Sequence, residues 1–182
     1  MNGLTYAFLL ALLAGLLLQS WLLARQRTHV ARHRDAVPEA FAGKIPLEAH
    51  RKAADYTLAK TRLARFALFY NAALLLAWTL GGGLALADGL WAGSGLPPLW
   101  EGVALMVSVF LVMSLLDLPL SLWTTFGLES RFGFNRTTPP RYLLDLVLQA
   151  LLLLVLGIPL AWAMLGIMRD AGDLWWLAAW TL

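Results

Sequence analysis

The sequence contains no cysteine, which excludes disulfides and thiolate metal sites. Charge is also scarce: Asp, Glu, Lys and Arg together make up 14% of the 182 residues, against roughly 25% in a soluble domain. Residues 4–24, 66–87 and 146–168 carry no charged side chain, and 102–128 carries only Asp117. The usual soluble core, shielded by a charged surface, cannot be built from such a pattern. No basic region precedes the first apolar run and no A-x-A site follows it, so this run reads as a retained signal-anchor. No H-E-x-x-H occurs anywhere, so the chain has no zincin metal helix of its own.

What is present is hydrophobic: 60% of residues, with a mean hydropathy of +0.68. The apolar runs predict membrane spans at about 4–24, 66–87, 102–128 and 143–168, each long enough to cross a core of about 30 Å as a helix. Lipid cannot satisfy backbone polar groups, and these runs exceed barrel-strand length. The fold class expected is therefore all-α, a polytopic transmembrane helix bundle of four full spans. The run 174–182 is too short to cross and reads as the start of a fifth span that continues in a longer protein.

Lys and Arg are placed asymmetrically. Ten lie in segment 25–65 and three in 129–142, against one, Arg169, in the remaining connections. The positive-inside rule puts these two basic segments in the cytoplasm and the N-terminus outside. The net charge of +3 is explained by juxtamembrane residues facing anionic lipid. It calls for no nucleic acid. Arginines outnumber lysines eleven to three, which hints at a GC-rich genome and a bacterial inner membrane.

The first basic segment divides at Pro38 and Pro46. Residues 25–35 are expected to extend the first helix, 37–46 to form a loop, and 47–65 to be a helix running into the second span. Residues 88–100, rich in Gly, Pro and Trp, read as a short interfacial loop, and Thr138 as a helix cap before Pro139 and Pro140. Tryptophans gather near span ends, as an aromatic belt does. Small residues recur every four positions, at Ala7, Ala11 and Gly15 (continued by Gln19), at Ala73, Ala77 and Gly81, and at Gly157 and Ala161. Close helix packing and chance spacing account for these equally well.

Asp117 is the one ionisable residue deep in a span. Ser114, Asp117, Ser121 and Thr124 share a helical face, and Pro119 frees the carbonyl of Leu115. A carboxylate against lipid costs several kcal/mol, so this face should point inward, either into a polar chamber or into an interhelical hydrogen bond. Tyr142, Asp145 and Gln149 make a weaker polar face, read as an ordinary helix start. His29 and His33 have i, i+4 spacing but no intervening Glu, and Arg27, Arg32 and Arg34 would repel a cation, so a solvated basic helix is expected. His50 has no visible partner. Asn135-Arg136-Thr137 matches a glycosylation sequon, but on a cytoplasmic segment it would go unused.

The run Asp117-Leu118-Pro119 through Glu129-Ser130-Arg131-Phe132-Gly133-Phe134-Asn135-Arg136-Thr137-Thr138 closely resembles the type I CAAX prenyl protease family of membrane-embedded zinc metallopeptidases. So does the upstream set Pro38, Phe41, Lys52-Ala53-Ala54-Asp55-Tyr56 and Lys60. The resemblance implies a helical chamber of about seven spans, closed by a metallopeptidase domain. It implies zinc in the full-length protein, held by an H-E-x-x-H helix and a downstream Glu that lie beyond this chain. This chain alone should be inactive, with no catalytic or metal residue and no cofactor of its own. Glu129, Arg131, Phe132, Gly133, Phe134, Asn135, Arg136 and Thr137 then read as a cap that contacts the metallopeptidase domain or a peptide or membrane-protein substrate. The alternative for this segment is a loop held by its own Glu–Arg contacts. At the level of function, the alternatives are a non-catalytic membrane adaptor and a small transporter.

Overall fold

The structure is a computed structural model and describes residues 2–41 and 43–180. Among these residues the chain is helical, with no strand. It divides into two compact units, Met1–Leu76 with Leu120–Arg136, and Ala77–Pro119 with Thr137–Leu182.

In the first unit, α1 runs over Gly3–Arg32. The Asn2 carboxamide oxygen caps it, accepting from the Thr5 amide at 3.0 Å and the Thr5 hydroxyl at 2.9 Å, alongside the bond from the same amide to the Asn2 carbonyl at 3.1 Å. Thirty residues rise about 45 Å, so α1 is long enough to cross an apolar layer of about 30 Å and carry its basic end beyond it. A single 3₁₀ turn, Glu39–Phe41, interrupts the predicted loop. The second helix, α2, spans Leu47–Thr79 without a break between the basic segment and the apolar run. Ala54, Thr61 and Ala72 are its buried residues, and the Thr61 hydroxyl donates to the Thr57 carbonyl at 2.7 Å. Ala11, Gly15 and Gln19 of α1 face Asn71, Ala72 and Leu75 of α2 across an open groove of about 700 Å³. The small-residue face of α1 is thus turned toward α2 without closing onto it.

The predicted second span, 66–87, is not one straight helix. It stops at Thr79 and resumes as α3, Gly83–Trp91, after a bend of 49°. Gly82 sits at φ +83, and a Cβ on Gly81 would lie 2.7 Å from the Ala77 carbonyl oxygen. The Ala77–Gly81 spacing therefore serves the chain's own turn rather than a neighbouring helix. Glycine is nearly neutral in hydropathy, so the apolar run concealed the break. The loop predicted at 88–100 is correspondingly shorter, because α3 continues to Trp91 and the next helix begins at Pro98.

That helix, α4, runs over Pro98–Phe132 and changes from α to a π turn at Trp123–Glu129. The last long helix, α5, covers Pro139–Asp170 with a π turn at Leu153–Gly157. Its N-cap is Thr138 in extended conformation, but the Thr138 side chain makes no capping bond. Pro139 at the first helical position needs no donor partner, which makes that bond dispensable. Within the second unit, Trp91 donates to the Ser108 hydroxyl at 3.2 Å, and a Cβ on Gly102 would lie 2.9 Å from the tip of Leu165. A short helix, α6, covers Trp175–Ala179. Of the expected fifth span, Thr181 and Leu182 lie outside the described residues. Among the described residues α1, α4 and α5 are long and apolar enough to cross a membrane, and the bent α2–α3 pair makes a fourth when taken as one span.

Candidate functional site

The segment that closes α4 is built by its backbone. Gly133 takes φ +77, a conformation that costs a residue bearing Cβ about 1–2 kcal/mol. Around it, the Phe134 amide donates to the Glu129 carbonyl at 2.9 Å and the Gly133 amide to the Ser130 carbonyl at 3.1 Å. This is the Schellman pattern of a helix C-terminus. Asn135 reinforces it, with its side-chain amide donating to Ser130 Oγ at 2.9 Å, while that hydroxyl donates to the Thr125 carbonyl at 3.2 Å. None of the ion pairs among the described residues involves Glu129. The turn is held by backbone and amide bonds, not by Glu–Arg contacts.

This turn docks on α2. Lys52, Tyr56 and Lys60 are spaced by four and form one stripe. The Tyr56 ring meets Phe132 edge-on at 5.4 Å and Phe134 at 4.8 Å. Lys52 Nζ lies 5.8 Å from the Phe134 ring centroid, Lys60 Nζ 5.8 Å from that of Tyr56, and the Arg131 guanidinium 5.8 Å from that of Phe132. Edge-to-face pairs contribute about 0.5–1.5 kcal/mol each beyond their burial. Parts of the two segments that carry the family resemblance, Lys52–Tyr56 and Phe132–Phe134, are thus in contact although far apart in sequence.

A second set of contacts fastens the end of α1 to the same part of α2. Arg34 grips Asp55 with two bonds, Nε to Oδ1 at 2.7 Å and Nη2 to Oδ2 at 2.8 Å. Arg51 Nε donates to Asp35 at 2.7 Å. His50, which had no visible partner in the sequence, has one in space: its Nε2 lies 2.8 Å from the His33 carbonyl oxygen. His33 Nδ1 in turn lies 2.9 Å from the His29 carbonyl, and the two rings are 4.3 Å apart. Among the described residues no three His, Asp or Glu assemble as a metal set.

The bonds from Arg34 hold the Asp55 carboxyl below its ordinary range, helped by the fields of Arg131 and Arg51. A carboxylate depressed on folding stabilises the fold above its unfolded pKa, about 3.9, and loses that contribution as pH falls through the lower folded value. Asp55→Asn is therefore expected to lower the thermal midpoint at pH 7. The gap from wild type should narrow as pH drops below about 4, read by melting curves across pH.

The structure does not gather all the predicted residues. Arg136 is exposed and Thr137 half-buried beyond the turn. Ser114, Asp117 and Ser121 are exposed along α4, and Thr124 is half-buried. Two of the hydroxyls are satisfied within the helix, Ser114 to the Phe110 carbonyl at 2.9 Å and Thr124 to the Leu120 carbonyl at 2.8 Å.

The family model described as the CAAX prenyl protease N-terminal region, with five membrane helices, matches residues 26–182. The chain belongs to the CAAX prenyl protease N-terminal family. Relatives include a CAAX prenyl protease 1 homolog of Oryza sativa subsp. japonica, 28% identical over 156 residues, covering 80% of this chain and 36% of that protein. The homolog of Caenorhabditis elegans is 28% identical over 150 residues, covering 81% and 33%. The crystal structure of S. mikatae Ste24p shares the fold at a TM-score of 0.79 and 24% identity, covering 91% of this chain and 40% of that one. These relatives are eukaryotic, and this CAAX prenyl protease N-terminal chain spans about a third of the length of the two homologs.

Proposed function

We propose that this chain is the membrane-embedded front part of a zinc metalloendopeptidase of the CAAX prenyl protease type. Its spans would form part of the wall of a chamber around a zinc site carried further along the full-length protein. The observation that supports this reading best is the docking of the Phe132-Gly133-Phe134 turn on the Lys52–Tyr56–Lys60 stripe. It is an ordered cap at the end of a span, of the kind needed to receive a further domain or a peptide. The residues here do not fit zinc, because no group of three candidate ligands exists among those described. The chain's own contribution is architectural. It supplies apolar walls, a polar strip at Ser114, Asp117, Ser121 and Thr124 facing the chamber, and the cap. The basic segments lie on the cytoplasmic side in this reading.

The test uses the full-length protein and a peptide ending in a prenylated Cys-a-a-X sequence. Arg131→Ala is expected to lower kcat/KM about tenfold, which is about 1.4 kcal/mol of transition-state stabilisation, with the thermal midpoint retained. Unchanged proteolysis and unchanged stability would remove the cap from the functional site.

A further inference from the structure

Beside the cap, on its apolar side, α2 and the π turn of α4 border an open groove of about 440 Å³. Leu63, Phe66 and Leu128 line its apolar part, and Arg62 and Arg131 its basic part. Both helices change character at this level. On α2 the last basic residues, Arg62 and Arg65, give way to the charge-free run that begins at Phe66. On α4 the apolar run ends at Leu128 and Arg131 follows. The groove therefore straddles the boundary between headgroups and hydrocarbon. Trp123 lines it and is 67% exposed, while Leu128 beneath is only 7% exposed. An exposed indole at this depth suits a membrane interface. A Cβ on Gly127 would lie 3.0 Å from Trp123 Cδ1, so the glycine leaves the indole room to lie along the helix.

The two arginines are exposed and appear in none of the ion pairs among the described residues. Asp55, the acid that feels the field of Arg131, is already held by two bonds from Arg34. The groove thus offers two guanidinium groups outside any ion pair among the described residues, beside an apolar channel. A guanidinium fork matches a phosphate, and an acyl chain matches the channel. We infer that this groove binds one anionic phospholipid, with its phosphate on Arg62 and Arg131 and an acyl chain along Leu63, Phe66 and Leu128. The lipid would join α2 to the end of α4 directly below the cap.

The experiment uses the full-length protein with p-benzoylphenylalanine in place of Phe66, whose side chain is 61% exposed and tolerates the larger ring. The protein is placed in nanodiscs of equal phosphatidylglycerol and phosphatidylcholine, irradiated, and the adduct masses are read. Phosphatidylglycerol adducts are expected to exceed phosphatidylcholine adducts by at least about fivefold, the effect of one arginine near an anionic headgroup. Arg62→Ala should cut that preference by about fivefold, with the melting temperature unchanged. Arg25→Ala, which removes a comparable charge outside the groove, should leave it in place. Equal capture of the two lipids would overturn the inference, as would an equal effect of Arg25→Ala, a cross-link to a peptide of the remaining chain, or no adduct. Proteolysis does not enter this readout, so its outcome is separate from that of Arg131→Ala.

Discussion

Gly81→Ala is expected to distort the turn between α2 and α3 and to destabilise the full-length protein by about 3 kcal/mol, the upper end for atoms forced into occupied space. The new Cβ would stand 2.7 Å from the Ala77 carbonyl oxygen and 2.9 Å from the Ala77 Cα. Both are backbone atoms of the helix just ended, and no rotamer change relieves them. Two neighbouring glycines give the scale. Gly82 has open space around its Cβ position but φ +83, so Gly82→Ala should cost only the left-handed penalty of about 1–2 kcal/mol. Gly89 lies inside α3 with nothing within 4 Å and no positive φ. Gly89→Ala should therefore stabilise by about 0.4–1 kcal/mol. Thermal melting of the three variants in detergent checks the order, and a Gly81→Ala protein as stable as Gly82→Ala would show that the turn shifts to relieve the clash with Ala77.

Tyr56→Ala should be the most damaging single change in the cap, at about 2–4 kcal/mol. It removes the ring that Phe132 and Phe134 both meet in T-shaped contact, with centroids at 5.4 and 4.8 Å, together with the face beneath Lys60. Without it the turn keeps its Schellman bonds but loses its seat on α2. Tyr56→Phe keeps the ring and should stay within about 0.5 kcal/mol of wild type. Limited proteolysis between Glu129 and Arg136 is the direct measurement, because the alanine variant should be cut there while the phenylalanine variant resists. Cleavage of neither would mean that the backbone bonds hold the turn alone.

These two predictions rest on different kinds of information. That helices cross a membrane, where the charge-free runs lie, and that α1 and α2 carry basic ends beyond them all follow from composition and charge order. Hydrophobic burial in lipid is a property of the segment, and a segment's residues can be added up. The resemblance of the 117–138 run and of the 52–60 stripe could also be read in the sequence, including Gly133, whose left-handed turn is local. The partners could not. Nothing in the spacing of residues 33–55 says that Arg34 will reach Asp55 or that His50 will find the His33 carbonyl. Those bonds depend on how α1 and α2 lie against each other after the 37–46 loop, and side-chain pairing across a loop leaves no periodic trace. The same holds for Tyr56 and the two phenylalanines. By itself the sequence determined a membrane-spanning helical chain of this family, with the residues of its cap. Only the tertiary structure decided that the cap is a single knot, that the second span bends at its glycines, and that Arg62 and Arg131 line one groove with Leu63, Phe66 and Leu128, because contact between distant segments is settled by packing geometry.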